Sequence, residues 1–280
     1  MNIHNPNNML LFLIFLLLMG WLVRWLVLRR CRKTVIEIGN AQTIGDRKEQ
    51  EDSFATIVHE DRVLAVLADG MGGYSYGKAA SNLAVDTFVR EFTRTANRQQ
   101  PPVAFFRNTA YLSNQKLLEK NKGTKSGTTL VAVIIAGGYL NWASIGDSAI
   151  MLLRSGDFIH LNQKQIFQSL LEKRYLSGEI SREELLNHPK KKQLSNYIGY
   201  EGFRDIEINR QSIKLRSGDK VVLCCDGVYN NVTEMEMEKI LSRNMSPNQA
   251  AEEIISLVEQ KNVAHQDNAT IIILENHHLD

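Results

Sequence analysis

The sequence predicts one α+β domain at residues 37–276, preceded by a single N-terminal transmembrane helix at residues 9–28. Two observations lead to this fold class. An apolar run of about 20 residues lies near the N-terminus, long enough to cross a hydrocarbon core. From Thr34 onward, short β-rich runs interleave with segments of helical periodicity, and the sequence contains no internal repeat or low-complexity tract.

Composition excludes several classes of protein. The chain has 280 residues, and 33 Lys and Arg against 31 Asp and Glu leave a net charge of +2, so a nucleic-acid coat protein is excluded. A hydrophobic fraction of 44% and a charged fraction of 23% exclude disorder and a polytopic membrane bundle. Only 3 Cys occur, which excludes a disulfide framework and favours a reducing compartment.

The N-terminal run predicts a membrane anchor. Met9–Leu28 is apolar except for Gly20 and Arg24, and Arg24 lies close enough to the end of the run to reach the interface. Trp21 and Trp25 are residue types typical of that interface. We therefore expect residues 1–8 to form a short N-terminal tail and the run to span the bilayer once.

Charge asymmetry predicts the orientation of this anchor. The tail has no Lys or Arg, whereas Arg29–Lys33 begins the basic linker at residues 29–36. Positive charges stay inside, so we expect a single-pass protein of the inner (cytoplasmic) membrane with its catalytic domain in the cytoplasm. The alternative, a cleaved secretory signal, would need basic residues before the run and a small-residue cleavage site after it.

The domain itself is predicted as strands and helices in alternation. The predicted strands are Thr34–Ile44, Ser53–Val58, Arg62–Ala68, Thr128–Ala136, Tyr139–Ile145, Ala149–Arg154, Phe158–Leu161, Ile206–Leu215, Lys220–Cys225 and Ala269–Leu274. The predicted helices are Gly77–Ala96, Val103–Lys120, Glu234–Ser242 and Pro247–Gln260, with a helix-like segment at Gln163–Asn187.

Aspartates recur at the ends of these strands. Two continuous apolar runs end in Asp-Gly, at Asp69 and Asp226, as expected for strands buried on both faces. Asp147 ends a third strand, and Asp267 leads into the last one. A single strand-terminal Asp-Gly is usually a turn, but four such aspartates in one domain indicate a site, which the backbone carbonyl of Gly70 could join.

Clustered carboxylates repel one another unless a cation neutralises them. Oxygen-only ligands select hard ions such as Mg or Mn, and a pair of such ions suits acyl or phosphoryl hydrolysis. The seven His have no ligand spacing, so the sequence does not support a zinc site built from His.

The order of these motifs resembles that of the metal-dependent type 2C protein serine/threonine phosphatases, particularly their compact bacterial branch. The resemblance covers residues 38–275. The motifs that carry it are Gly45-Asp46-Arg47-Lys48-Glu49-Gln50-Glu51-Asp52, Ala68-Asp69-Gly70-Met71-Gly72-Gly73, Ser126-Gly127-Thr128-Thr129, Ile145-Gly146-Asp147-Ser148, Cys225-Asp226-Gly227-Val228 and Gln266-Asp267-Asn268-Ala269-Thr270.

The resemblance implies an α-β-β-α sandwich in which two antiparallel sheets, flanked by helices, hold two Mn or Mg ions. It assigns Asp69 to both ions and Asp226 with Asp267 to the first. It assigns Glu51 and the carbonyl of Gly70 to the second.

The resemblance also gives roles to three further residues. Asp52 would orient the water that attacks, so the residues implied in catalysis are Asp69, Asp226 and Asp52. Arg47 would bind the substrate phosphate through its planar guanidinium. Asp147, with Asp226, matches a third and weaker ion site of bacterial members.

The function implied is a membrane-anchored, monomeric phosphatase domain that hydrolyses phosphoserine and phosphothreonine with a metal-activated water. Its partners would be phosphorylated proteins and a cognate serine/threonine kinase, with no nucleic acid. The chain departs from the family in three places: Met71 replaces a His of some members, Ala149 an Arg, and Lys164-Gln165-Ile166 the common Asp-His-Ser. The last departure lies in a predicted flap at about residues 163–204.

Two alternatives remain open at this point. One is a catalytically inactive pseudophosphatase that binds phosphoproteins, although the complete carboxylate set argues against it. The other is a phosphohydrolase of small phosphate esters. The sequence has no Gly-rich phosphate loop of the type that binds nucleotides.

Overall fold

The computed structural model describes residues 12–21, 34–72, 76–95, 100–121, 126–203 and 206–278. Residues 12–21 are helical, and the remainder of the predicted span and the basic run Arg29–Lys33 lie outside the described residues. Within the described part of the chain, no helix has both the length and the apolar character that crossing a membrane requires. Residues Ile36–His277 form a separate compact unit.

Two sheets form the centre of this unit. The first contains, in spatial order, β1 (Thr34–Thr43), β13 (Ala269–His278), β12 (Lys220–Cys224), β8 (Ala149–Arg154) and β9 (Asp157–His160). The second contains β10 (Glu207–Ile208), β7 (Tyr139–Ile145), β6 (Leu130–Ala136), β3 (Arg62–Ala68) and β2 (Ser53–His59), and β11 (Ile213–Lys214) also pairs with β7. A short pair joins β4 (Gly70–Met71) to β5 (Gly127–Thr128), and every described register is antiparallel.

Seven helices are described within the compact unit. They are α1 (Tyr76–Thr95), α2 (Pro102–Lys120), α3 (Phe167–Leu176), α4 (Arg182–Asn187), α5 (Asp226–Tyr229), α6 (Glu234–Leu241) and α7 (Pro247–Gln260). The start of α7 shows why these segments are helical: Ser246 caps Gln249 N–H in a capping box, and Pro247 occupies the first turn.

The strand β3 serves two cores because its side chains alternate between its faces. Those in the core shared with the first sheet are Val63, Ala65 and Leu67. Those in the core formed with α1 and α2 are Leu64, Val66 and Ala68. The continuous apolar pattern of this strand is therefore explained by burial on both sides.

The first sheet is covered in the same way by α6 and α7. Met237 and Ile254 from these helices lie in one buried cluster with Val222 and Leu223 of β12. Helices thus pack on the outer faces of two sheets whose inner faces meet. The α+β fold with antiparallel sheets and helices, predicted from the sequence, is confirmed.

Two predicted elements are interrupted. The helix-like segment Gln163–Asn187 is two helices, because Gly178 has a φ of +76° and Ser181 caps the start of α4. The segment predicted as one strand at Ile206–Leu215 contains two short strands of two residues each, β10 and β11. Between them, the side chain of Asn209 accepts from Trp142 N–H and so replaces a backbone partner.

We expect Phe105→Ala to lower the free energy of unfolding by about 3–5 kcal/mol, because it would leave a cavity in the core under α1 and α2. The Phe105 ring lies 5.9 Å from Phe88 and 6.0 Å from Phe92, both edge to face. Urea unfolding of the domain would measure the change. Met235→Ala is the control because that side chain is 80% exposed. A loss as small as the control's would contradict this packing.

Candidate metal centre

The predicted carboxylates meet in one cavity of about 290 Å³ at a common end of the two sheets. Of the eight residues that the sequence singled out, all but Asp52 line it. The full lining is Arg47, Glu51, Asp69, Gly70, Met71, Gly72, Thr129, Asp147, Leu194, Asp226, Asp267 and Asn268. Gly73, quoted with the same motif as Asp69, lies outside the described residues.

Asp69 is held at the end of β3 by its backbone. Its carbonyl accepts from Thr129 N–H at 2.9 Å and from Thr128 Oγ1 at 2.8 Å. Its own N–H donates to Thr129 Oγ1 at 3.1 Å. These hydrogen bonds fix the backbone of Asp69, and so they position its carboxylate at the cavity wall.

Gly70, Gly77 and Glu51 approach one another so closely that no side chain fits between them. A Cβ on Gly70 would lie 2.3 Å from the Gly77 carbonyl oxygen, and one on Gly77 would lie 2.8 Å from Glu51 Cδ. Ser81 Oγ in α1 donates to the Glu51 carbonyl at 2.5 Å. The helix α1 thus positions both Glu51 and the Gly70 backbone, a role that the motif alone did not reveal.

Asp52 lies below the cavity in a polar floor. Its Oδ2 accepts from Thr270 Oγ1 at 2.7 Å and from Cys225 Sγ at 3.2 Å. Oxygen or sulfur atoms of Asp52, Asp69 and Cys225 lie within 4.8 Å of one another. Thr270 and Cys225 were both quoted in sequence motifs, but only the structure shows that they orient this carboxylate.

At the rim, Arg47 pairs with Asp267. Arg47 Nη2 lies 2.6 Å from Asp267 Oδ2, and the two side chains are 52% and 40% exposed. The sequence placed these residues in one site but did not predict that they contact each other. One group is the expected phosphate ligand and the other an expected metal ligand.

Asn268 fastens the loop that carries Arg47 and Glu51. Its Oδ1 accepts from Glu51 N–H at 2.8 Å, and its Nδ2 donates to the carbonyls of Ile44 and Glu49. In the sequence, Asn268 stands out only as part of a motif. Its position directly after Asp267 could have indicated this role, because a short amide side chain can form hydrogen bonds with nearby backbone groups.

Burial and repulsion act on the acidic side chains together. Burial raises the pKa of Asp69 well above its ordinary value, and the charges of Asp52 and Asp226 raise it further. Burial also raises the pKa of Glu51 and of Asp147. Among the described residues that line the cavity, Arg47 is the only cation. This arrangement favours a bound divalent cation, and its oxygen donors suit Mg or Mn.

Comparison with known proteins gives one consistent result. The family model described as Protein phosphatase 2C matches residues 41–260. The serine/threonine phosphatase stp of Listeria welshimeri is 29% identical over 236 residues, which cover 82% of this chain and 91% of that protein.

Two solved structures share the fold. The serine/threonine phosphatase PstP/Ppp of Mycobacterium tuberculosis aligns with a TM-score of 0.70 at 25% identity, covering 87% of this chain and 100% of that one. The catalytic domain of the phosphatase PstP, solved in complex with 2 manganese ions, aligns with a TM-score of 0.68 at 24% identity, covering 87% and 99%. The manganese is a property of that structure.

We expect Asp226→Asn to stabilise the metal-free domain at neutral pH. Burial and the charge of Asp147 raise the pKa of Asp226 from 3.8 to about 6. Because the folded-state pKa lies above the unfolded value, the stability that this group contributes is lost as pH rises through that interval. In chelator at about pH 7.5, the variant's free energy of unfolding should exceed that of wild type by roughly 1–2 kcal/mol.

The difference should disappear only below the unfolded-state pKa of 3.8, at about pH 3, where the wild-type carboxyl is protonated in both states. Urea unfolding at both pH values measures it. Asp157→Asn, an exposed position in β9, is the control and should show no such difference. A variant less stable than wild type at neutral pH would disprove the repulsion argument.

Proposed function

We propose that this chain, a member of the protein phosphatase 2C family, is anchored in the membrane and uses two Mn or Mg ions. Its family makes it a metal-dependent protein serine/threonine phosphatase. The observation that carries the proposed metal chemistry is the crowding of Asp69, Asp226 and Asp267 with other oxygen donors in one cavity beside a single arginine. The carboxylates can bind divalent cations, and the arginine can bind a phosphate dianion.

The residues in the cavity fit the ions that the family implies. Each proposed donor is a carboxylate or a backbone carbonyl, the chemistry that Mg and Mn prefer. We assign Asp69 to both ions, Asp226 and Asp267 to the first, and Glu51 with the Gly70 carbonyl to the second. When bound, the ions supply a water nucleophile at neutral pH and offset negative charge on the phosphoryl oxygens.

Arg47 is proposed to bind the phosphate of the substrate. Its guanidinium stands half-exposed at the rim, where an incoming phosphopeptide would meet it. One of its N–H groups contacts Asp267, and a guanidinium has five such donors in a planar fork suited to phosphate oxygens. The Asp267 contact holds the guanidinium at the cavity rim and leaves other donors for the phosphate.

Asp52 is proposed to orient the attacking water. The hydrogen bonds from Thr270 and Cys225 fix one carboxylate oxygen. Burial raises the pKa of Asp52 to about 6, while those two hydrogen bonds act in the opposite direction. A carboxylate fixed in this way can accept a hydrogen bond from the attacking water and so orient it.

The anchor is proposed from the sequence at residues 9–28 and the basic run that follows it. A catalytic domain held at the bilayer would meet membrane-associated phosphoproteins at a raised effective concentration. Its substrates would then be products of a serine/threonine kinase in the same compartment. The segment at residues 163–204 is proposed as the flap beside the substrate, and Leu194 from it lines the cavity.

We expect hydrolysis of phosphothreonine peptides by the full chain to require Mn or Mg and to stop on chelation. Asp226→Asn should lose nearly all turnover and bind metal more weakly, because a ligand carboxylate is lost. Arg47→Ala should raise KM, because it removes a phosphate contact. It should not weaken metal binding, because it frees Asp267 from its ion pair and leaves every proposed metal ligand in place. Calorimetric Mn titration and steady-state kinetics separate the two effects.

Lys48→Ala, an exposed neighbour of Arg47, is the matched control and should resemble wild type. Turnover that survives thorough demetallation would reject the proposed chemistry. Metal binding without any turnover would favour the inactive phosphoprotein-binding alternative. Equal turnover on free phosphate esters and on phosphopeptides would favour a small-molecule phosphohydrolase.

We expect the C-terminus to lie on the cytoplasmic side of the membrane, because basic residues follow the apolar run and none precedes it. Protease added to intact spheroplasts should spare a C-terminal epitope tag, and lysis should expose it. Moving the basic charges, by changing Arg29, Arg30, Arg32 and Lys33 to Gln and adding four Lys before Met9, should reduce that protection. Recovery of the full-length chain in the soluble fraction would refute the anchor.

A further inference from the structure

Lys164 lies near Asp147, one of the carboxylates that line the cavity. The residue after it, Gln165, donates its N–H to the Gly146 carbonyl at 2.8 Å, and Gln165 Oε1 accepts from Gly146 N–H at 3.1 Å. Gly146 directly precedes Asp147. This two-point pairing sets the side chains of Lys164 and Asp147 on adjacent stretches of backbone.

The ring of Tyr229 fixes the ammonium group. Lys164 Nζ lies 3.4 Å from the centre of that ring, a cation–π contact. Tyr229 Oη donates to the Asp147 carbonyl at 3.2 Å, so the ring is tied to the strand end that carries Asp147. Tyr229 also ends the short helix α5 that begins at Asp226. The contact thus places the ammonium against a ring that is hydrogen-bonded to the backbone of Asp147 and lies three residues after Asp226.

The charges of these groups act on one another. Burial lowers the pKa of Lys164, and attraction to Asp147, then to Cys224 and Asp226, acts in the opposite direction. Burial raises the pKa of Asp147, and a backbone hydrogen bond and the charge of Lys164 oppose that increase. The ammonium therefore offsets part of the negative charge of Asp147.

We propose that the Lys164 ammonium is a resident cation for Asp147 and Asp226 and takes the place of a third divalent ion. The resemblance assigned those two aspartates to such an ion, in relatives with an Asp where Lys164 stands. A divalent ion close to this ammonium would be repelled, although Lys164 is partly open to solvent and the repulsion is therefore screened in part. This inference rests on the proposed two-ion function and narrows it.

A covalently attached cation has a distinct consequence. Its occupancy does not depend on metal concentration, whereas a weak third ion would fill only at high concentration. Activity of the wild type should therefore saturate with Mn in the range that fills the two main sites, with no further phase.

The test is Mn binding to the full chain, measured by calorimetry and by electron paramagnetic resonance of the unbound ion. We expect wild type and Lys164→Arg to bind about two ions, and Lys164→Asp to bind about three, since oxygen ligands without a competing cation hold Mn. The additional ion's affinity should rise by a factor of about ten or more in Lys164→Asp, because the local charge changes by two.

Lys192→Asp makes the same charge change at an exposed position of the predicted flap and should still bind about two ions. If Lys164→Asp loses its folded circular dichroism signal, Lys164→Ala replaces it, and the same third ion is expected there with lower affinity.

Three results would overturn the proposal: a third ion in wild type as tight as in Lys164→Asp, no third ion in either folded variant, or a third ion equally gained by Lys192→Asp. If wild type binds two ions and hydrolyses phosphopeptides but the Lys164 variants gain no third ion, the role of Lys164 is rejected and the proposed function stands. A wild type that binds no Mn would reject the proposed function and this inference with it.

Discussion

Repulsion between carboxylates at one end of two sheets is the constraint on which this molecule depends. Strands such as β3 are buried on both faces, so they cannot shift to separate the charges at their ends. Asp69 has the strongest conflict, because burial and its acidic neighbours both oppose its ionisation. Packing of the two cores thus holds together a carboxylate cluster that is unfavourable without cations. Functional sites are commonly unfavourable in this way.

The protein handles this charge differently at each level of the cavity. At the rim, the guanidinium of Arg47 pairs with Asp267 in partial contact with solvent. At the side, an ammonium lies against an aromatic ring close to Asp147. At the floor, hydroxyl and thiol groups satisfy Asp52 without adding charge. What remains uncompensated is the centre, around Asp69, where the metal ions are proposed.

The sequence predicted the features that depend on pattern. Burial on both faces makes β3 and β12 continuous apolar runs, and their abrupt ends at Asp-Gly predicted two of the carboxylates that line the cavity. It did not predict features that depend on distant partners. The break in the strand around Asn209 arises because a side chain from one segment replaces the backbone of another. The Arg47–Asp267 pair likewise joins residues 220 positions apart, which no local pattern reveals.

That separation also determines when the centre can exist. Asn268 fastens the loop around Glu51 across 217 residues, and β13, which follows Asn268, lies inside the first sheet between β1 and β12. A chain still emerging from the ribosome would lack this strand, Asn268 and the Asp267 half of the rim. Long-range pairing of this kind forms late and slowly. A nascent chain would accordingly stay inert towards phosphoproteins until β13 had left the ribosome and paired with β1 and β12.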